Sequence, residues 1–216
     1  MVRGAPRPDL PGARPGSHAG GRRSGLCRPR GLVAGGASSA HLDRGEADRA
    51  DRFTRYEVLG FGVANGAPAV RVDRMGPDNY WFGARPQIVL DRRGPRVDAM
   101  IKAIRAAVAR YPYPHEYRAW PGPNSNTFTA YIARQVPDLG LDLPSNAVGK
   151  DFLPEGALFA SAPSGSGFQV SLFGLAGVLL AVDEGFELNL LGLNIGVDAA
   201  VPALKLPAIG RLGLDR

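Results

Sequence analysis

A Pro-Gly-Pro loop that runs straight into a helix is the strongest constraint on this chain. Residues Trp120–Ala133 read WPGPNSNTFTAYIA. Pro121 and Pro123 fix their own φ angles and have no N–H to give to a sheet ladder. Phe128, Tyr131, Ile132 and Val136 then recur with helical spacing, and Pro137 stops the run. A helix is expected from about Asn126 to Val136. Ser125 would stand at its positive end, where backbone N–H groups and the helix dipole favour negative charge. Ser125 is therefore a candidate hydroxyl nucleophile. The competing reading is that Ser125 or Asn124 is simply the N-cap.

Upstream, the composition changes abruptly near Ala50–Phe53. Residues 1–40 hold 9 Gly, 5 Pro, 7 Arg and 6 Ala, and no Phe, Trp or Tyr occurs before Phe53. Such a segment is a disordered, basic low-complexity tail or the product of a frame error in a GC-rich gene, whose codons favour these residues. The second reading is preferred, and the domain boundary is set at 50/51, with residues 51–216 forming a single domain. On that reading, residues 1–50 lack order and leave an apolar sheet edge unpaired.

Charge follows the same division. Residues 1–50 carry 9 Arg and 4 acids, whereas the rest carries 17 basic and 16 acidic residues. The folded part is thus nearly neutral, which argues against nucleic-acid binding. The single cysteine, Cys27, forms no disulfide within the chain, and His18, His41 and His115 lack ligand spacing, so neither metal nor cofactor is expected. Phe173–Val182, the longest apolar run, is too short for a transmembrane helix. As written the chain has no signal peptide and reads as cytoplasmic; an envelope-associated location goes with a different N-terminus.

From residue 53 the pattern is α+β, an antiparallel sheet with two main helices and C-terminal β-hairpins. Phe53–Val63 reads as a strand, Asn65-Gly66 as a hairpin turn and Ala69–Asp73 as the return strand. Gly76–Asn79 reads as another turn and Gln87–Asp91 as a short strand. Val97, Met100, Ile101, Ile104 and Val108 give a helix over 97–110. Leu139–Gly156 reads as loop. Phe168–Val201 alternates apolar and polar residues between glycines and predicts two to four antiparallel strands. Its apolar face is expected to be sheet core, with a membrane-surface or partner-binding patch as the other reading.

Seven strings stand out: Arg55–Val58 (RYEV), Trp81–Pro86 (WFGARP), Trp120–Phe128, Ala147–Asp151 (AVGKD), Ser171–Gly174 (SLFG), Asn189–Gly192 (NLLG) and Pro202–Gly213. Together they resemble a bacterial family of uncharacterised proteins, domain-of-unknown-function family 3750. The family pattern carries His-Thr-Trp-Ile upstream of RYEV. This chain lacks that string, but a one-base shift across the Ala40–Arg49 codons is compatible with it. The family implies no established activity. More distantly, Asn124–Phe128 is similar to the Asn-Cys-x-x-Phe string of permuted papain-like hydrolases, with Ser in place of Cys. That resemblance implies a permuted papain-like core, with Ser125 as nucleophile, a His on an early strand as base, and Glu57 orienting the His.

The chemistry is coherent. A serine hydroxyl needs an adjacent base, and helix N-terminal amides stabilise the oxyanion that forms. Trp120, Asn124 and Asn126 would line the substrate side. His115 is a weak substitute base. Each residue also has a plainer role: Glu57 facing solvent or in a salt bridge, Trp120 and Trp81 in the core or lining a groove, and Lys150-Asp151 as a surface pair. Gly165-Ser166-Gly167 is too short for a phosphate loop. Two function classes follow: a Ser-nucleophile amide or ester hydrolase or acyltransferase, acting on an unknown small-molecule, peptide or lipid substrate, and a non-catalytic envelope-associated binding or structural domain.

Overall fold

β-branched and aromatic residues in Phe53–Val58 build the strand on which the first sheet is organised. The computed structural model describes residues 31–35, 39–43, 53–74, 80 and 88–214. In chain order the strands of this sheet are β1 (Gly31–Gly35), β2 (Ser39–Asp43), β3 (Phe53–Val58), β4 (Val70–Val72) and β5 (Ile88–Arg93). Their spatial order is β4-β3-β2-β1-β5, and every pairing is antiparallel. The open edge expected beside β3 is not found. Ser39–Asp43 run antiparallel along Glu57–Phe53, and β1 links β2 to β5. Residues 31–35 and 39–43 thus take part in the sheet. The WFGARP string and the turn at 76–79 lie outside the described residues.

The link from β3 to β4 corrects one expectation. Asn65-Gly66 does not form a two-residue hairpin turn. Val63–Asn65 make a 3-10 turn, and Gly66, at φ 86°, closes it by donating its N–H to the Val63 carbonyl. The longer link lets Tyr117 pack against Gly60, where a Cβ would meet its ring at 2.5 Å.

Helices α1 (Val97–Ala109) and α2 (Ser125–Gln135) follow the expected periodicity. α1 buries Val97, Met100, Ile101, Ile104 and Ala107. α2 buries Phe128, Ile132 and Ala133. These stripes meet Tyr56 and Val58 of β3 in one core cluster. Tyr111 closes it edge-on against Phe128, ring centroids 5.0 Å apart and planes at 87°. A ring pair of this geometry adds roughly 0.5–1.5 kcal/mol beyond the area it buries.

The second sheet is a meander of seven antiparallel strands: β6 (Phe159–Ser161), β7 (Gly167–Leu172), β8 (Ala176–Ala181), β9 (Gly185–Leu190), β10 (Leu193–Asp198), β11 (Ala203–Leu206) and β12 (Gly210–Gly213). The strands expected in 168–201 are there, with β6, β11 and β12 added at the flanks. The direction of the faces, however, is the reverse of the expectation. Phe186, Leu188, Leu190, Leu193, Ile195 and Val197 are exposed. Glu187, Asn189, Asn194 and Asp198, which alternate with them, are buried. The apolar face is therefore not core. Polar inner positions instead meet α2 and the chain after it, through Arg134, Lys150 and Asp151. The fold is α+β, as expected.

Candidate functional site

At the start of α2, Asn124 is the cap, in extended conformation at φ −137°. Its Oδ1 accepts from the N–H groups of Asn126 at 2.9 Å and Thr127 at 3.0 Å. Thr127 Oγ1 accepts the Asn124 N–H in return at 3.1 Å, completing a capping box. Asn124 Nδ2 donates to the carbonyls of Ala119 and Val148. Asn126 Nδ2 also donates to Val148, at 2.8 Å, and Thr127 Oγ1 donates to Gly149. Gly149 has φ 95°, and a Cβ there would sit 2.2 Å from Asn124 Nδ2. The helix start is thus a clamp on residues 148–149, and Asn124 and Asn126 serve it.

Ser125 is the first residue of α2, half-buried. Its carbonyl accepts from Thr129 Oγ1 at 3.2 Å, while its hydroxyl takes no part in the cap. Trp120 is half-exposed and its indole Nε1 donates to the Leu191 carbonyl at 2.9 Å, tying the loop to the β9–β10 turn.

Glu57 is fully buried. Tyr56 and Val58 face the helices, so by strand alternation Glu57 faces the other way, with Arg55. Arg55 Nη2 comes to 3.0 Å from Glu57 Oε2, an ion pair without hydrogen-bond geometry. The structure brings Trp120, Asn124 and Asn126 together with Ser125, and it turns Glu57 to the opposite face of β3. In the register, His41 of β2 lies opposite Arg55, and Ser39 lies opposite Glu57. His115 sits exposed in the loop between the helices.

Sequence reasoning missed a buried charge network on the inner face of the second sheet. Lys150 and Asp151 are not a surface pair: both are buried. Lys150 Nζ donates to Asp151 Oδ1 at 3.1 Å and to Glu187 Oε2 at 2.5 Å. The other oxygen of Glu187 accepts from Lys205 Nζ at 2.8 Å, and Lys205 also reaches both Asp142 oxygens. Gly196 makes room for Glu187, since a Cβ there would meet its Cγ at 2.9 Å. Burial disfavours the charged form of Lys150, but the Asp151 and Glu187 carboxylates outweigh it and hold the amine above the ordinary lysine range. Burial pulls the Arg134 guanidinium down to about 10, still charged at neutral pH. Asn194 has neither side-chain polar atom partnered among the described residues. A cleft of about 550 Å³ lies beside the network, between β5 and Asp142, Lys205 and Arg211. Among the described residues no cluster of His, Cys, Asp or Glu could hold a metal ion, and no helix is long and apolar enough to cross a membrane.

The family model described as "Protein of unknown function (DUF3750)" matches residues 40–152, more than half of the chain. The chain belongs to that family. The DUF3750 match takes in β3 to β5, both helices and the clamped 148–149 segment, and it ends before β6. The Ser171–Gly174, Asn189–Gly192 and Pro202–Gly213 strings lie beyond it. No curated protein and no solved structure matches the chain.

Proposed function

We propose that this DUF3750 chain is a non-catalytic, envelope-associated binding module whose working surface is the outer face of the seven-stranded sheet. The carrying observation is the polarity of that sheet: apolar side chains are exposed while the alternating polar ones are buried. A soluble face normally reads the other way. The candidate site residues support the same reading, because Asn124 and Asn126 are occupied in the clamp and Glu57 lies on the other face of β3, paired with Arg55.

A second reading keeps one specific observation. The Ser125 hydroxyl is not the cap, and it stands, half-buried, at the positive end of α2. A Ser-nucleophile hydrolase or acyltransferase of permuted papain-like type would use it. Its missing base would come from a corrected frame, which puts His-Thr-Trp-Ile near β2, beside β3 and against α2. A fluorophosphonate probe separates the two, applied to this chain and to a frame-corrected one. No labelling of either is expected. Labelling that disappears in Ser125→Ala would overturn the non-catalytic reading.

A further inference from the structure

We infer that the outer face of the seven-stranded sheet docks on a lipid bilayer, a statement that rests on the binding-module reading and names its partner. In β7 to β12 the outward positions are Phe, Val, Leu, Ile, Ala or Gly, without one charge. Four six-residue strands and two four-residue strands, about 4.8 Å apart, make this face on the order of 500 Å² before its tips are counted. That is at or above the largest apolar patch of an ordinary soluble monomer.

The hairpin tips indicate what covers it. In a meander the turns alternate between two ends of the sheet. One end holds the β6–β7, β8–β9 and β10–β11 turns, where Asp183 is half-buried, Glu184 is buried on Ser164 and Val182 is exposed. The other end holds the β7–β8, β9–β10 and β11–β12 turns, which contain no charge. There Phe173 is 49% exposed, Leu191 58% and Ile209 65%. Phe173 and Leu191 also take left-handed backbone, with φ 54° and 55°, each followed by a positive-φ glycine. Such turns favour Asn or Asp before the glycine, because bulky apolar residues are strained there. Large apolar residues at exposed, left-handed tips cost stability in water and gain it only where the tip is immersed. Trp120 stands at the same end, half-exposed, with its N–H bound to Leu191. An indole with one wet and one apolar side suits the membrane–water boundary.

A second copy packed face to face would cover the strands but leave the tips in water. A bilayer covers both. The strands are shorter than the roughly 9–11 residues of a membrane-crossing strand, so the sheet lies in the interface and does not span it. Docking by an uncharged face should depend little on salt.

The test is flotation of the full chain with phosphatidylcholine vesicles, with and without phosphatidylglycerol. Binding to both, little changed by salt, is expected. Phe173→Asn and Leu191→Asn place the residue that the turn prefers, so both variants should fold at least as well by circular dichroism. Each should still weaken binding about tenfold or more. Unchanged binding in the double variant would overturn the docking mode. Binding only to phosphatidylglycerol and lost at high salt would point to the basic N-terminal segment and would also overturn it. A stable dimer that ignores vesicles would overturn the lipid partner yet keep the binding module. A monomer that ignores vesicles would overturn both.

Discussion

Lys150 carries more of the fold than its place in the sequence suggests. Lys150-Asp151 looks like a neighbouring surface pair, but the decisive partner, Glu187, is 37 residues away on β9. No local pattern announces it. Removing one member of a buried charge set leaves the others charged and dry, so Lys150→Met should destabilise the fold by about 3–5 kcal/mol in urea unfolding. The pH dependence has a definite sign. The folded pKa of Lys150 lies above its unfolded value, the two carboxylates outweighing burial. Its contribution is therefore complete below about pH 10.4 and is lost as pH rises through the folded value. The gap between wild type and Lys150→Met should stay constant from neutral pH to about pH 9 and shrink at higher pH. A gap that persists unchanged in strong alkali would mean that packing, not charge, is what the substitution removes. Asn124 is the opposite case: its place just ahead of an apolar helical run made it, with Ser125, one of two cap candidates, and the structure chooses Asn124. What was not legible is that its amide N–H groups also hold Ala119 and Val148.

At the scale of elements, both helices were legible because three- and four-residue spacing marks one face without ambiguity. The strands of the second sheet were legible as strands but not in orientation. A period of two defines two faces, and only the presumption that apolar residues point inward chose between them. Seven buried polar positions in β7 to β11, from Gln169 to Lys205, overturn that presumption. The first two strands were misjudged for a different reason. Gly31–Gly35 and Ser39–Asp43 have weak β-propensity, and their pairing comes from their neighbours. They lie between β3 and β5, so their contribution can be tested by truncation. Deleting residues 1–30 should leave the cooperative thermal transition seen by circular dichroism intact. Deleting residues 1–43 strips β5 of its partner, leaves β3 with β4 alone and should abolish it. If both truncated chains melt like the full one, β1 and β2 are dispensable.

For the whole molecule, the two sheets divide the labour. The five-stranded sheet and its helices hold the main apolar core. Among the described residues the buried apolar residues outside it are Leu153, Ala162, Leu179 and Ala203 with two prolines, Pro123 and Pro163, and salt bridges and hydrogen bonds hold the second sheet's inner face. That arrangement leaves the sheet's apolar side chains free for an external surface without weakening the core. It also makes the isolated protein prone to self-association in water, since a large uncharged patch gains by being covered. The full chain should therefore sediment as a mixture of sizes in plain buffer and collapse to a monomer in mild detergent. Leu188→Thr with Ile195→Thr keeps β-branched or β-compatible residues on central strands while making the middle of the face polar. Both positions are exposed, so folding should be unaffected. Analytical ultracentrifugation of this double variant in plain buffer should give a monomer at concentrations where the wild type associates. If the two associate equally, the contact between copies lies elsewhere on the molecule, and the outer sheet face loses its claim to be the surface that seeks a partner.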